Sequence, residues 1–246
     1  MWRTCDKEKG CGMGKSEKCA AVIVAAGSGK RMGTKISKQF LELKGKPILA
    51  HTLDVFQKAE RIDDICLIVS ADQVEYVRKE IVEQYGFTKV SKVISGGAER
   101  YDSVYRGLCA CEDADFVYIH DGVRPFVTEE IIEEGYRAVR DHGAAICGMP
   151  SKDTIKVTDD EGKVVDTPPR SRVWNVQTPQ IFAYSLIRQA YDALQNGDKT
   201  GITDDAMVLE AMGTDPVYMF RGSYRNIKIT TPEDLQIAEK FLEEED

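Results

Sequence analysis

Between Val24 and Phe40 the chain reads VAAGSGKRMGTKISKQF, which sets Gly27, Gly29 and Gly33 among Lys30, Arg31, Lys35 and Lys38. Glycine lets backbone N–H groups come close to phosphate oxygens, and lysine and arginine neutralise the charge those oxygens carry. The apolar run AAVIVA (20–25) just before the loop reads as a strand. The loop therefore falls at the carboxyl end of a strand, where open α/β sheets bind their ligands. A tight βα turn with a solvated basic flank is the plainer alternative; three glycines with four cations favour a phosphate ligand. The phosphate-loop pattern G-x-x-x-x-G-K-[ST] does not fit, because Met32 stands where its second glycine belongs. The dinucleotide pattern G-x-G-x-x-G fails too: the spacing is Gly27-x-Gly29-x-x-x-Gly33, and Ser70 ends the second strand where a dehydrogenase carries an acid. So many cations suit a nucleoside triphosphate with its metal better than a pyrophosphate.

The loop is basic but the chain is not. Across 246 residues, 33 Lys and Arg stand against 41 Asp and Glu, a formal net charge of −8. That balance disfavours a nucleic-acid binder and points to a small anion held in a pocket. No apolar run approaches the roughly 18 residues that span a bilayer. Residues 1–18 are polar and rich in Gly and Lys, with no apolar core of a secretory leader, and are expected to form a disordered tail. The seven cysteines (5, 11, 19, 66, 109, 111 and 147) include no Cys-x-x-Cys pair; Cys66 and Cys147 fall in strand-like runs as small hydrophobes. A reducing, cytoplasmic compartment is expected.

The elements that position the loop follow from periodicity. Strand-like runs recur at 20–25, 65–70, 92–96, 115–120, 144–150, 216–220 and 226–230. Between them Ile48, Leu49, Thr52, Leu53 and Phe56 repeat at helical spacing, as do Val74, Val77 and Ile81, and Val104, Leu108 and Cys111. Thr231-Pro232-Glu233-Asp234 opens a last helix with a cap, a proline at the first position and acids in the first turn. The alternation predicts an α/β, Rossmann-like, mostly parallel mixed sheet with helices on both faces. Residues 19–246 are expected to form one domain. TIKVTDDEGKVVDTPP (154–169) breaks the rhythm with two β-prone runs around a turn. It predicts a β-hairpin arm, spanning about 151–172, that protrudes from the body and clasps a second subunit.

Beyond the loop, AAGSGKRMG…KQF…GKPIL resembles nucleotidyltransferases that join a nucleoside monophosphate to a phosphorylated sugar or polyol. GGAERYDSV (96–104), HDGVRPF (120–126), DTIK (153–156), RSRVWNVQTPQIF (170–182), ITDDA (202–206) and NIKITTPEDL (226–235) together resemble the 2-C-methyl-D-erythritol 4-phosphate cytidylyltransferase family, from about Ala20 to the C-terminus. The resemblance implies attack by a phosphate monoester on the α-phosphorus of CTP. Such a monoester has a second pKa near 6, so no catalytic base is needed and no Ser-His-Asp or Cys-His set is expected. Arg31 and Lys38 are implied to hold the triphosphate and stabilise the transition state, with Lys228 reaching the α-phosphate from a late strand. Ala25, Ala26, Gly27, Ser28, Gly29, Gly96, Gly97, Ser103, Asp121 and Gly122 are implied to line the nucleotide site. Asp121, Arg124, Thr178 and Thr203 are implied to meet the polyol phosphate, joined by Thr154 and Arg170 from the arm of the other subunit of a homodimer.

Several of these residues also have a structural reading. Arg100 and Asp102 are read as caps of the following helix, Thr203 also fits an N-cap, and His120 reads as a buried, satisfied histidine. Ala98 stands where the family often carries a polar residue. Mg²⁺ is expected to arrive on CTP, and no carboxylate cage for it is visible; Asp204-Asp205 reads as first-turn helix chemistry. Ribitol-5-phosphate cytidylyltransferase is the sister alternative, against which Ala25-Ala26-Gly27 and Trp174 lean. A non-catalytic nucleotide-binding regulator would be expected to lose Arg31, Lys38 or Lys228, and all three are present.

Overall fold

The computed structural model describes residues 17–27, 37–213 and 216–244. In chain order the first half runs β1 (Cys19–Val24), the hairpin β2 (Glu42–Leu43) and β3 (Lys46–Pro47), α1 (Ile48–Lys58), β4 (Asp64–Val69), α2 (Val74–Val77), which continues as a π-helix over 78–83, β5 (Val90–Ser95), α3 (Arg100–Ala110) and β6 (Phe116–Asp121). The second half runs α4 (Glu129–His142), β7 (Ala144–Pro150), β8 (Val157–Thr158), β9 (Val164–Asp166), β10 (Trp174–Ala183), α5 (Tyr184–Gln195), α6 (Asp205–Glu210), β11 (Tyr218–Arg221) and α7 (Pro232–Glu243).

Two-residue alternation in the strands sets the layers. Ala21, Ile23, Ile65 and Leu67 pack on one face with Leu53 and Phe56 of α1 and Ile132 of α4. Ala20, Val22, Cys66 and Ile68 pack on the other with Leu108 of α3, Tyr191 of α5 and Leu209 of α6. Both faces of each central strand are apolar, so helices must cover both. Each fully buried Leu or Ile side chain contributes about 1.5–3 kcal/mol. A third, smaller cluster joins Leu43, Ile48, Val123, Phe126, Ile229 and Ala238, and seats α7 against the loop after β6.

The sheet order is β11-β7-β10-β6-β1-β4-β5. Every pairing is parallel except those of β10, which runs antiparallel to both β6 and β7. The chain leaves β1 towards β4 and β5, then returns to place β6 on the opposite side. That reversal opens a crevice at the carboxyl ends of β1 and β6, where Val24 lies opposite Asp121.

Three expectations are corrected. β10 was not among the predicted strands; Pro179 and the polar Asn175, Gln177 and Gln180 mask it, and its register shifts between Val176 and Gln180. The predicted strand at 226–230 is not a strand. Ile229 N–H donates to Val123 O at 2.9 Å, but side chains satisfy its neighbours: Arg124 Nη1 donates to Asn226 O and Asp234 Oδ2 accepts from Thr230 N–H. Glu17 and Lys18, expected in the tail, are docked, with Lys18 N–H donating to Asp115 Oδ2 at 2.7 Å and Glu17 meeting Tyr136. The rest of that predicted tail, residues 1–16, lies outside the described residues, as do Ser28, Gly29 and Arg31. In the predicted arm, β8 and β9 pair antiparallel and both are exposed.

Candidate active site

Two adjoining clefts occupy the crevice, of about 380 Å³ and about 310 Å³, each large enough for one small ligand. Ala25, Ala26, Gly27, Lys38, Gly97 and Ser103 line the first. Arg124, Thr178 and Thr203 line the second, with Gln177, Gln180 and Asp204. Arg100, Asp121 and Lys228 line both. The described residues thus fall into two groups that meet at one charged junction, while Gly96 and Gly122, also predicted for the nucleotide, line neither cleft. Thr154 and Arg170 line neither cleft within this chain; Arg170 Nη1 donates to Lys152 O at 3.2 Å.

The first cleft is walled by strand ends whose main chain is held from behind. Gln39, buried beside Lys38, donates from Nε2 to Ala25 O at 2.8 Å. Ser70 Oγ donates to Ala26 O at 3.0 Å, so the serine that stands where a dehydrogenase carries an acid helps fix the main chain after β1. Gly122 N–H donates to Val24 O at 2.9 Å, tying the two strand ends together. Past β5, Ser103 Oγ accepts from Gly97 N–H at 3.0 Å and donates to Glu99 O at 3.2 Å. A Cβ on Gly97 would lie 2.3 Å from Asp102 Cβ, so only glycine lets this segment lie against the start of α3.

At the junction Asp121 is buried, with Lys228 Nζ at 2.9 Å and Arg100 Nε and Arg124 Nε each at 3.5 Å. Burial alone would raise its carboxyl; Arg100, Lys228 and Arg124 outweigh that and hold it well below the usual carboxylate range. Asp121 is thus an anion in an otherwise cationic junction. It can accept hydrogen bonds from ligand hydroxyls, while the surrounding cations meet phosphate oxygens.

Behind it, His120 is fully buried. Its Nε2 faces Arg124 O at 3.2 Å, so that nitrogen carries the proton. Nδ1 then accepts from Thr178 Oγ1 at 3.0 Å, and Thr178 Oγ1 accepts from Asp121 N–H at 3.1 Å. Burial pushes the imidazole down to about 3, leaving it neutral at physiological pH. The hydroxyl proton of Thr178 is used on His120, which corrects the expectation of a hydroxyl donor to the ligand: Thr178 positions Asp121 instead.

Two capping assignments change. Asp102 does close a capping box with Glu99 at the start of α3, but Arg100 does not cap. Its guanidinium grips the fully buried Asp205 through two bonds of 2.8 Å. The cap of α6 is Asp204, whose Oδ1 accepts from Met207 N–H at 2.9 Å, so Thr203 stands outside the helix at the second cleft. Arg100, Gln39 and Gln180 were missed as site residues. Arg100 sits in the quoted GGAERYDSV motif, and Gln39 in KQF.

A parallel-sheet crevice with a glycine-lined cleft, opening onto a second cleft through a cluster of cations, is an arrangement suited to nucleotidyl transfer between two phosphorylated ligands. Comparison with known proteins narrows the class. The family model described as 2-C-methyl-D-erythritol 4-phosphate cytidylyltransferase matches residues 19–244, and the chain belongs to that family. Among its relatives, the 2-C-methyl-D-erythritol 4-phosphate cytidylyltransferase of Alkaliphilus oremlandii is 51% identical over 226 residues, covering 92% of this chain and 95% of the relative. That of Clostridium perfringens is 49% identical over 225 residues, covering 92% and 99%. The crystal structure of 4-diphosphocytidyl-2C-methyl-D-erythritol synthase from Anaerococcus prevotii superposes with a TM-score of 0.82 at 36% identity, covering 92% of this chain and 96% of that one.

Proposed function

We infer that this chain transfers CMP from CTP to 2-C-methyl-D-erythritol 4-phosphate, giving 4-diphosphocytidyl-2-C-methyl-D-erythritol and pyrophosphate in non-mevalonate isoprenoid precursor synthesis. The observation that carries the reading is the junction of two clefts at Arg100, Asp121 and Lys228 in a chain of this family. CTP lies in the first cleft, its base against Gly96, Gly97 and Ser103 and its phosphates towards Lys38 and the loop that holds Arg31. The polyol phosphate lies in the second cleft, its hydroxyls on Asp121. An oxygen of its phosphate attacks the α-phosphorus, the bond to the β-phosphate oxygen breaks, and pyrophosphate leaves. Positioning and charge stabilisation supply the catalysis. Pyrophosphate release from CTP is expected to be strong with 2-C-methyl-D-erythritol 4-phosphate and weak with ribitol 5-phosphate; the reverse preference would reassign the acceptor.

Because His120 is neutral and Asp121 ionised, neither titrates near pH 6. The acid limb of kcat/KM should follow the second ionisation of the acceptor phosphate, near pH 6. An acceptor phosphonate with a higher second pKa should move that limb upward, whereas a limb that stays in place would assign it to the protein or to the terminal phosphate of CTP.

Among the described residues no three His, Cys, Asp or Glu gather to hold a metal, and the charge of Asp121 is already matched by cations. Mg²⁺ is proposed to be carried by the triphosphate. The β8–β9 segment is proposed to reach a second copy of the chain, placing Thr154 and Arg170 at that copy's acceptor cleft. Exposed Val157, Val164 and Val165 support a contact there. Arg170→Ala should raise the KM for the polyol phosphate about tenfold or more and leave that for CTP nearly unchanged; a rise for CTP alone would contradict the arm's role. No helix among the described residues is long and apolar enough to cross a membrane.

A further inference from the structure

The second cleft rests on an ion pair buried in the wall behind it. Asp205, fully buried at the first turn of α6, accepts from Arg100 Nη1 and Nη2 at 2.8 Å each and from Tyr191 Oη at 2.7 Å. Its own N–H donates to Gln180 Oε1 at 2.9 Å, and Gln180 Nε2 donates to Asp204 Oδ2 at 3.0 Å. Tyr191 of α5 thereby holds the Asp205 carboxylate and Gln180 of β10 its main chain, and the carboxylate fixes the guanidinium in turn. A guanidinium has five N–H donors in a rigid plane. With both inner terminal donors on Asp205, Nε is turned to Asp121 Oδ1 at 3.5 Å, and the outer N–H of each terminal nitrogen remains for a ligand or solvent in the clefts.

We propose that Asp205 and Arg100 are positioning residues for the second substrate: Asp205 clamps Arg100, and Arg100 holds the Asp121 carboxylate in the orientation that receives the acceptor's hydroxyls. Without the clamp, Asp121 retains Lys228 and Arg124 and swings towards them, out of register with the polyol. The main chain of the first cleft is held separately, by Gln39 on Ala25 O, Ser70 on Ala26 O and Ser103 on Gly97 N–H, none of these bonds running through Asp205. The asymmetry between substrates follows from that separation.

The inference rests on the function proposed above, and wild-type turnover of CTP with 2-C-methyl-D-erythritol 4-phosphate tests that function first; its absence would remove the function itself. Given wild-type turnover, Asp205→Asn is read by steady-state kinetics. The KM for the polyol phosphate should rise about tenfold or more, with the KM for CTP within about threefold of wild type. Tyr191→Phe, which deletes only the hydroxyl bracing Asp205, should shift the polyol KM the same way by about threefold. Arg100→Lys keeps the charge but not the two-pronged grip, and should not restore the wild-type value. If Asp205→Asn does not fold, the same split is read from the other two variants. Equal rises in both KM values, or unchanged KM values in folded variants with lowered melting temperature, would make the pair a purely structural link between α3 and α6 and overturn the proposal.

Discussion

Lys228→Ala is expected to lower turnover by about 10²–10³-fold, the usual loss when one preorganised electrostatic contact is removed from a reacting centre. The side chain reaches both clefts from an irregular segment, and its Nζ is 2.9 Å from Asp121 Oδ2. During transfer the acceptor phosphate approaches a phosphorus that already bears negative oxygens, so charge concentrates where Lys228 stands. That charge is greater in the transition state than in either bound substrate; kcat should therefore fall much more than affinity for CTP. Lys228→Arg should retain part of the activity. Pyrophosphate release by a folded Lys228→Ala protein within a few-fold of wild type would show that the junction cation is not used.

Asp121→Asn should abolish most turnover, destabilise the free protein and yet tighten its hold on anions. Removing a buried charge from its partners costs about 3–5 kcal/mol in general. Here the lower end or less is expected, because Lys228 is over a third exposed and Arg100 keeps Asp205. Asp121 has a folded-state pKa depressed below the unfolded value of about 3.9. Its contribution is therefore complete above that value and is lost as pH falls through the folded-state pKa. The stability gap between wild type and variant should hold from pH 7 down to about pH 4 and close only in stronger acid. With the one anion of the junction gone, pyrophosphate should raise the melting temperature of the variant more than that of wild type. A gap that closes between pH 6 and 7 would assign the effect to another group.

Much of this arrangement is legible from residue types alone. The period-two alternation in β1 and β4 dictates helices on both faces, and the glycine-and-cation run after β1 marks the ligand edge. What was not legible depends on partners distant in sequence. Arg100 stands between Glu99 and Asp102, which do form a capping box, so its own partner Asp205, 105 positions away, is invisible from the local pattern. Thr203 and Asp204 are adjacent potential caps, and only the fold decides that Asp204 accepts from Met207 N–H. β10 carries a proline and several amides because its end forms a cleft wall rather than core. Thr178 looks like a ligand donor until His120 is found with its Nε2 proton on a carbonyl, which leaves Nδ1 to take the hydroxyl.

The central claim is that the nucleophile belongs to the acceptor and transfer across the junction is direct. Its most direct test is exchange of labelled pyrophosphate into CTP. Direct transfer predicts no exchange with CTP and enzyme alone, and exchange only when the acceptor or the cytidylyl product is added. Exchange without either would require a side chain that takes the cytidylyl group itself, and would contradict the account.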